Sequence, residues 1–301
     1  MIKPKSPVFA ITALVAVISC SLSAPALAES PQNREFKLAG KVVEYSVWHK
    51  MVMPGQVLPI SLRKGQSANV DGDTVTDGWT APKAAGTHYL TVTGRGGKVV
   101  SKVTLFVLEP SSNIDDRGYL GTYRIGQYPK DTPRGFIKLN KEDGNIAVSP
   151  SFKVGQFLCK QQPKVWPKYV LVSEPNLDRL ETLLNDLNAK GLTDAKTLFV
   201  MSGYRTPFYN YAIGSAKMSR HMYGDAADVY IDTKPRDGVM DDINGDGAVT
   251  KADANFLYDH AQTLFGIANV NKGGLGSYKA NAVHGPFVHV DGRGRPARWG
   301  R

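Results

Sequence analysis

The sequence predicts an α+β protein in which a small all-β part precedes a part that mixes strands and helices. The first observation is a series of short β-branched and aromatic runs, separated by Gly and Pro turns, in the first third of the chain. The second is a set of leucines at helical spacing from residue 177 onward. Strands and helices then follow each other without a regular βαβ rhythm, which favours α+β over a parallel α/β sheet.

The composition is that of a globular protein. The 301 residues are 42% hydrophobic and include 30 Gly, 18 Pro and 2 Cys. This excludes a disordered chain, a collagen-like repeat and a small protein stapled by disulfides. The net charge of +10 is spread along the chain, without a basic motif interleaved with aromatic residues. We therefore expect an anionic polymer such as the cell wall as partner, and no nucleic acid.

Residues 1–28 have the features of a signal peptide. Two lysines precede an apolar stretch at 8–18 that is short for a membrane span, and Ala-Leu-Ala at 26–28 forms a small-residue cleavage site. We expect an exported protein, periplasmic or secreted and associated with the cell envelope, with no transmembrane span and a mature net charge of +8. The alternative is a lipobox at 17–20, in which Cys20 would carry a lipid anchor.

Residues 36–110 are predicted to form a small antiparallel β-sandwich. The stretch 79–92, which contains Trp-Thr-Ala-Pro and Tyr-Leu-Thr-Val, resembles the later strands of bacterial immunoglobulin-like modules. Modules of this kind position or adhere, so no chemistry is assigned to this one. The predicted strands are 42–47, 57–62, 89–92 and 99–108.

Residues 111–165 are rich in Gly, Pro and Lys and are predicted to be a linker that packs on the next domain, 166–301. In that domain a helix is predicted, with Asn176 as a possible N-cap and Gly191 as a stop signal. Its helical spacing is set by Leu177, Leu180, Leu183, Leu184 and Leu187. The further predicted elements are an apolar run at 198–201, a strand at 226–231, a helix at 252–265 and a strand at 287–291.

Two segments carry residue types that suit a metal ion: SRHMYGDAAD at 219–228 and GPFVHVDGR at 285–293. Imidazole and carboxylate are suitable zinc ligands, and three protein ligands with one open position are the arrangement of a catalytic zinc. His221, Asp228 and His289 would supply three ligands with a single negative charge. Cysteine, the usual further ligand of a structural zinc site, does not occur nearby.

These segments, with SGYRTPFYN at 202–210 and GGLGSY at 273–278, resemble the zinc D-alanyl-D-alanine carboxypeptidase/endopeptidase family of peptidoglycan metallopeptidases. That family belongs to a wider group with the lysostaphin-type peptidases and the hedgehog fold. The resemblance spans about residues 115–301. It implies a hedgehog/D-Ala-D-Ala peptidase-like zinc domain, with His221, Asp228 and His289 as the zinc ligands.

The resemblance also implies roles beside the metal. Arg205 matches an arginine that faces the substrate and holds a carboxylate or a developing oxyanion, a task suited to a guanidinium fork. Ser219 matches a position that hydrogen-bonds substrate, and Tyr204 is expected to bind substrate from the same turn as Arg205.

The general base is not specified by the motifs. Many relatives carry a His two residues before the last zinc ligand, or a Glu near it, whereas this chain has Phe287 there. The candidates are Asp291, which strand alternation places on the same face as His289, and His284. Asp291 is equally suited to orienting His289 from behind. A closely related subgroup shares the sequence Phe-Val-His-Val-Asp.

A second metal site is predicted at residues 242–253, which fit the calcium-loop template with oxygen donors at positions 1, 3 and 5 and an acid at position 12. An Asp at position 12 resembles dockerin-type loops, and no entering helix precedes the loop. The bound Ca²⁺ would be structural. The predicted ligands are Asp242, Asn244, Asp246, Ala248 through its carbonyl, and Asp253.

The motifs together predict an exported zinc metallopeptidase that hydrolyses peptide bonds in bacterial peptidoglycan, as a stem-peptide carboxypeptidase or a cross-link endopeptidase. The alternative is a non-catalytic cell-wall-binding or scaffold protein that retains the metal-site fold. Phe287 favours this alternative, because it stands where many relatives carry the His that serves as general base. A third possibility is a peptidase that acts on ordinary proteins or imported peptides.

Overall fold

The computed structural model describes residues 35–301. The predicted signal segment 1–28 and the lipobox with Cys20 lie outside these residues. No helix within 35–301 has the length and apolar character needed to cross a membrane. Cys159 is a buried free thiol.

The first nine strands form two sheets. One has the order β2-β1-β4-β7 and the other β3-β9-β8-β5-β6. All their pairs are antiparallel except β3 with β9, which is parallel. The strands are β1 Phe36–Leu38, β2 Lys41–Val43, β3 Val47–Val52, β4 Val57–Ser61, β5 Ser67–Val70, β6 Asp73–Val75, β7 Gly78–Thr80, β8 Gly86–Thr93 and β9 Val99–Val107.

Three of the four predicted strands in this part are confirmed as β4, β8 and β9. The single strand predicted at 42–47 is wrong, because the chain bends between β2 and β3. At the bend Tyr45 stacks on Trp48, with ring centroids 4.6 Å apart, and its hydroxyl donates to Asp178. The immunoglobulin-like architecture and the domain boundaries stay predictions.

The middle of the chain consists of short strands and 3-10 turns that pack into the core. β13 pairs with both β10 and β14, and β11 pairs with β12. Phe136, Ile137 and Phe152 are almost completely buried. Elements this short leave no periodic signal, which is why the sequence suggested a linker. The strands are β10 Glu109–Pro110, β11 Tyr119–Leu120, β12 Tyr123–Arg124, β13 Gly135–Leu139 and β14 Lys168–Val170.

The last part of the chain forms a five-stranded sheet with the order β15-β16-β18-β17-β19. Helix α1 packs on β18, helix α3 packs on β17 and β18, and the two helices contact each other. The elements are α1 Glu174–Ala189, β15 Phe199–Ser202, α2 Pro207–Ala212, β16 Ala226–Tyr230, α3 Lys251–Ile267, β17 Gly274–Tyr278, β18 Phe287–Asp291 and β19 Ala297–Trp299. This mixture agrees with the predicted α+β class.

The predicted leucine helix is confirmed as α1, and its five leucines are buried. The proposed cap is wrong. The N-cap residue is Ser173, and Asn176 lies inside the helix, because Pro175 is well suited to the first helical turn. Gly191 follows the helix with a φ of +68°, which is consistent with a stop signal.

Candidate metal centre

One row of residues crosses all five strands of the C-terminal sheet. Residues directly opposite each other on neighbouring strands share a face of the sheet. Asp228 on β16 and His289 on β18 lie at the middle of this row, and their side chains contact each other. From β15 to β19 the row consists of Ser202, Asp228, His289, Gly276 and Trp299.

The third member of the centre comes from a 3-10 helix, Arg220–Tyr223, that leads into β16. Gly224 ends this helix in the left-handed conformation, with a φ of +64°. A Cβ atom at this position would lie 2.3 Å from the carbonyl oxygen of Leu171. Glycine is therefore required both by the turn and by the close approach. His221 therefore reaches Asp228 and His289 from a segment outside the strands of the sheet.

Three ligand atoms converge at this point. His221 Nε2 lies 3.2 Å from His289 Nδ1 and 3.3 Å from Asp228 Oδ1, and the last two atoms are 2.9 Å apart. All three side chains are buried. Within residues 35–301 they form the one cluster of at least three His, Cys, Asp or Glu side chains with metal-binding geometry.

Each histidine is held in the tautomer that a metal ligand needs. His221 Nδ1 lies 2.7 Å from the carbonyl oxygen of Gly203, which only accepts, so this nitrogen carries the proton and donates. His289 Nε2 lies 3.1 Å from Asp291 Oδ2 and donates to that carboxylate. With these partners, both histidines can direct a nitrogen lone pair at the same point as Asp228 when a cation takes the place of the proton between them, which is the arrangement of a cation site.

The donor set fits zinc. Neighbouring ligands of a tetrahedral zinc lie about 3.3 Å apart, given zinc–nitrogen distances of about 2.0–2.1 Å. Burial and the nearby charge of Arg205 lower the pKa of His221, although Asp228 opposes this. Burial would raise the pKa of Asp228, but the two histidines outweigh it and hold that pKa well below its usual range. A neutral imidazole and a carboxylate are the forms that bind zinc.

His289 lies between two carboxylates. Burial lowers its pKa, but its contacts with Asp228 and Asp291 outweigh burial, so the net shift is upward. The position thus favours positive charge on the Asp228 side of the ring. A metal ion there would replace the proton on Nδ1.

The guanidinium of Arg205 contacts the cluster of candidate metal ligands. Its Nη2 donates to Asp228 Oδ2, the carboxylate oxygen that is turned away from the histidines. Its Nε donates to Ser202 at 2.7 Å and its Nη1 to Ser215 at 3.3 Å. The structure therefore places Arg205 as the residue that orients Asp228. These bonds use three of the five N–H groups, so one N–H on each terminal nitrogen remains for the role implied by the resemblance, holding a substrate carboxylate or oxyanion.

The two candidate bases have other partners. Asp291 is completely buried and accepts from Gly274 N, from Arg293 Nε and from His289, so it lies behind His289, on the side away from Asp228. This geometry favours the orienting role over the role of general base. His284 contacts the side chain of Asn281 and the carbonyl oxygen of Gly285 through its ring nitrogens.

The two predicted substrate-binding residues differ in their surroundings. Tyr204 lies in the core, where its ring is 1% exposed and its hydroxyl is 3.0 Å from that of Tyr128, and its substrate role stays a prediction. Ser219 precedes the 3-10 helix that carries His221 and is nearly buried. Its hydroxyl has no hydrogen-bond partner within the described part of the chain, so it can still donate to a ligand.

Two aromatic residues beside the metal cluster were missed by sequence reasoning. The Trp299 ring lies 5.1 Å from the His289 ring, and its Nε1 donates to the Tyr278 hydroxyl at 2.8 Å. Gly276 lies opposite both His289 and Trp299 on the neighbouring strands. It has no room for a side chain, since a Cβ would lie 2.3 Å from the indole nitrogen of Trp299. The Gly-rich segment before Tyr278 was the available signal, but the strand register was needed to interpret it.

The predicted calcium loop is closed by its own hydrogen bonds. Asp242 accepts from the backbone of Gly245 and Gly247. Asp253 is buried and accepts from the backbone of Ile243 and Thr250, where it forms the capping box that starts α3. Asp242, Asp246 and Asp253 do not form a group with metal-ligand spacing, so the structure does not support calcium at this loop.

Comparison with known protein families agrees with the motifs. Residues 159–244 match the model of the family described as Peptidase M15. This segment is similar to the M15 peptidases. It contains Arg205, His221 and Asp228, ends before His289 and covers less than a third of the chain. No curated protein matches the sequence.

Proposed function

We propose that this protein is an exported zinc metallopeptidase that hydrolyses peptide bonds in bacterial peptidoglycan. The observation that carries the proposal is the convergence of two imidazole nitrogens and one carboxylate oxygen, with each side chain oriented by a partner behind it. The similarity to the M15 peptidases supports peptidase chemistry at this centre. The products would come from a stem-peptide carboxypeptidase or a cross-link endopeptidase reaction.

The residues at the metal centre have separate roles in the proposed reaction. Zinc, when bound by His221, Asp228 and His289, supplies a Lewis acid and activates water at neutral pH. Arg205 keeps one oxygen of Asp228 directed at the cluster. Asp291 fixes the His289 ring, and Ser219 offers an unused hydroxyl to the substrate. The net positive charge would draw the protein to the anionic wall.

A second candidate function is a non-catalytic wall-binding or scaffold protein. The observation that favours it is the state of the candidate bases, because Asp291 is occupied behind His289 and His284 is bonded to Asn281. Such a protein would keep the metal centre and bind the wall without cutting it.

The two candidates are separated by replacing one ligand. His221→Ala should remove most bound zinc and abolish peptide release from purified peptidoglycan, while sedimentation with the wall stays unchanged. His88→Ala, at a histidine of the N-terminal sheets, is the matched control and should behave as wild type. Wall binding without any peptide release by the zinc-loaded wild-type protein would support the scaffold instead.

Structural Ca²⁺ at residues 242–253 belongs to the same proposal and is supported by the spacing of its oxygen donors alone. Chelation of Ca²⁺ should then lower the melting temperature, and Asp246→Asn should remove the effect. Thermal unfolding that is identical with Ca²⁺ and with a selective chelator would contradict the calcium site. The loop would then be a turn held by its own hydrogen bonds alone.

A further inference from the structure

The phenol of Tyr278 is oriented by its neighbours. Its ring stacks on Phe287, with centroids 4.6 Å apart and planes within 9°. Tyr278 and Phe287 are opposite each other on β17 and β18, one side-chain position along the same face from His289. Phe287, which replaces the histidine expected from relatives, thus serves as the surface on which Tyr278 lies.

The hydroxyl group is held as an acceptor. Trp299 Nε1 carries a proton and cannot accept, so the indole donates to the Tyr278 oxygen over 2.8 Å. The phenolic proton is therefore left to donate, and it has no acceptor within residues 35–301. Tyr278 is 37% exposed, so a ligand can reach this proton from solvent.

The hydroxyl is linked to the cluster of candidate ligands through Trp299. Trp299, its hydrogen-bond partner, packs its ring 5.1 Å from that of His289. Burial raises the pKa of Tyr278, and the charge of Asp228 raises it further. The hydrogen bond from Trp299 and the charge of Arg205 lower it, but the net shift is upward. A neutral hydroxyl with an unused proton at the rim of a cation site is suited to stabilising negative charge that develops on a bound carbonyl oxygen.

Arg205 is less available for that task. Each of its three nitrogens donates to a protein group, and one of these groups is the carboxylate of Asp228. Two of its five N–H groups remain unused, but the guanidinium that carries them is fixed to a candidate metal ligand. The phenolic O–H of Tyr278 is not bonded to a candidate ligand.

We propose that Tyr278 is a catalytic residue that donates a hydrogen bond to the scissile carbonyl oxygen of the peptide substrate, with Trp299 as the residue that positions it. The inference rests on the peptidase function proposed above. It assigns an oxyanion contact to Tyr278, beside Arg205, which orients Asp228.

Tyr278→Phe is the direct test, because it keeps the ring on Phe287 and removes only the hydroxyl. With zinc-loaded protein and a defined peptidoglycan peptide, kcat should fall about 100-fold with KM within about threefold of wild type. Trp299→Phe should give a smaller fall, since the hydroxyl remains but is no longer held. Zinc content should be unchanged in both variants. Tyr89→Phe, at an exposed tyrosine of the N-terminal sheets, is the control.

A binding measurement separates this inference from the proposed function. A phosphinic peptide, whose tetrahedral oxyanion imitates the transition state, should bind Tyr278→Phe about 100-fold more weakly, while the uncleaved peptide binds equally. Wild-type protein that binds the phosphinic peptide through Tyr278 but hydrolyses nothing would contradict the peptidase proposal alone. A Tyr278→Phe variant with wild-type kcat, or with wild-type affinity for the phosphinic peptide, would overturn the role of Tyr278.

Discussion

At the scale of single residues, the centre depends on the groups that lie behind the ligands. Gly203 and Asp291 each bond the ring nitrogen that faces away from the cluster. Arg205 in turn bonds the outer oxygen of Asp228. Because such partners set the tautomer and the direction of each ligand, their loss weakens a metal site without touching the metal.

Asp291→Asn tests this dependence. The amide keeps the shape of the side chain but removes the charge that holds the His289 tautomer, so zinc affinity should fall about 10- to 100-fold. The measurement is competition with a chelating dye. Asp259→Asn is the matched control, because Asp259 is an exposed residue that pairs with Arg301. Equal zinc affinity in the two variants would contradict the orienting role.

At the scale of elements, the 3-10 helix Arg220–Tyr223 connects the fold to the site. It begins after Ser219, carries His221 and ends at Gly224, and the ion pair between Arg220 and Asp225 spans its end. The close contact of Gly224 with Leu171 anchors this helix to the segment before α1. The position of His221 therefore depends on one glycine.

Gly224→Ala should cost at least about 3 kcal/mol of stability, from a strained φ together with a clash against Leu171. It should also weaken zinc binding, because His221 must move. Gly214→Ala is a matched control with the same φ of +64° and nothing within 4 Å of the added Cβ, and should cost about 1–2 kcal/mol. Urea unfolding and zinc titration measure both effects. Equal losses of stability in the two variants would exclude a special role for the contact at Gly224.

Sequence patterns predicted those elements whose signal is local. The leucines of α1 repeat every three to four residues, and the strands β8 and β9 are long enough to show β-branched runs. Asn176 is a good cap by residue type, but the cap is Ser173. Proline is tolerated only in the first turn of a helix, so the helix has to start before Pro175. For the middle of the chain, strands of two to five residues carry no period, so the sequence predicts only a linker that packs on the next domain.

The same distinction applies to the site. His221, Asp228 and His289 could be predicted, because each lies in a motif of a few residues. The role of Asp291 could not be decided, since alternation along a strand gives the face of a side chain but not its hydrogen-bond partner. Tyr278 and Trp299 become neighbours of the cluster only through the register of β17, β18 and β19.

At the scale of the whole molecule, the N-terminal sheets are joined to the part that carries the metal centre by buried and partly buried polar contacts. His49 on β3 is completely buried, with its ring nitrogens 3.0 Å and 2.9 Å from the carbonyl oxygens of Val148 and Val172. Next to it, Lys50 pairs with Glu174 at the start of α1 over 2.7 Å. These contacts fix the N-terminal strands to the segment that precedes α1.

His49→Phe should cost about 1–3 kcal/mol at pH 8, because the neutral ring donates to one buried carbonyl group and that group loses its donor. Burial lowers the pKa of His49 below 6.5, so the unfolded chain takes up a proton that the folded chain does not as pH falls below that value. Wild-type stability should then fall with pH by up to about 1.4 kcal/mol per unit, a slope that the variant lacks. Urea unfolding at pH 8 and pH 5 should show a smaller difference at pH 5. A difference that grows at pH 5 would mean that His49 is protonated in the folded state.

The most direct test of the account is mass spectrometry of defined peptidoglycan peptides incubated with the protein, with zinc restored or removed. We predict a cleaved product with one equivalent of zinc, no product after chelation and none from His221→Ala. Intact peptides after incubation with protein that holds one zinc ion per chain would contradict the metallopeptidase function.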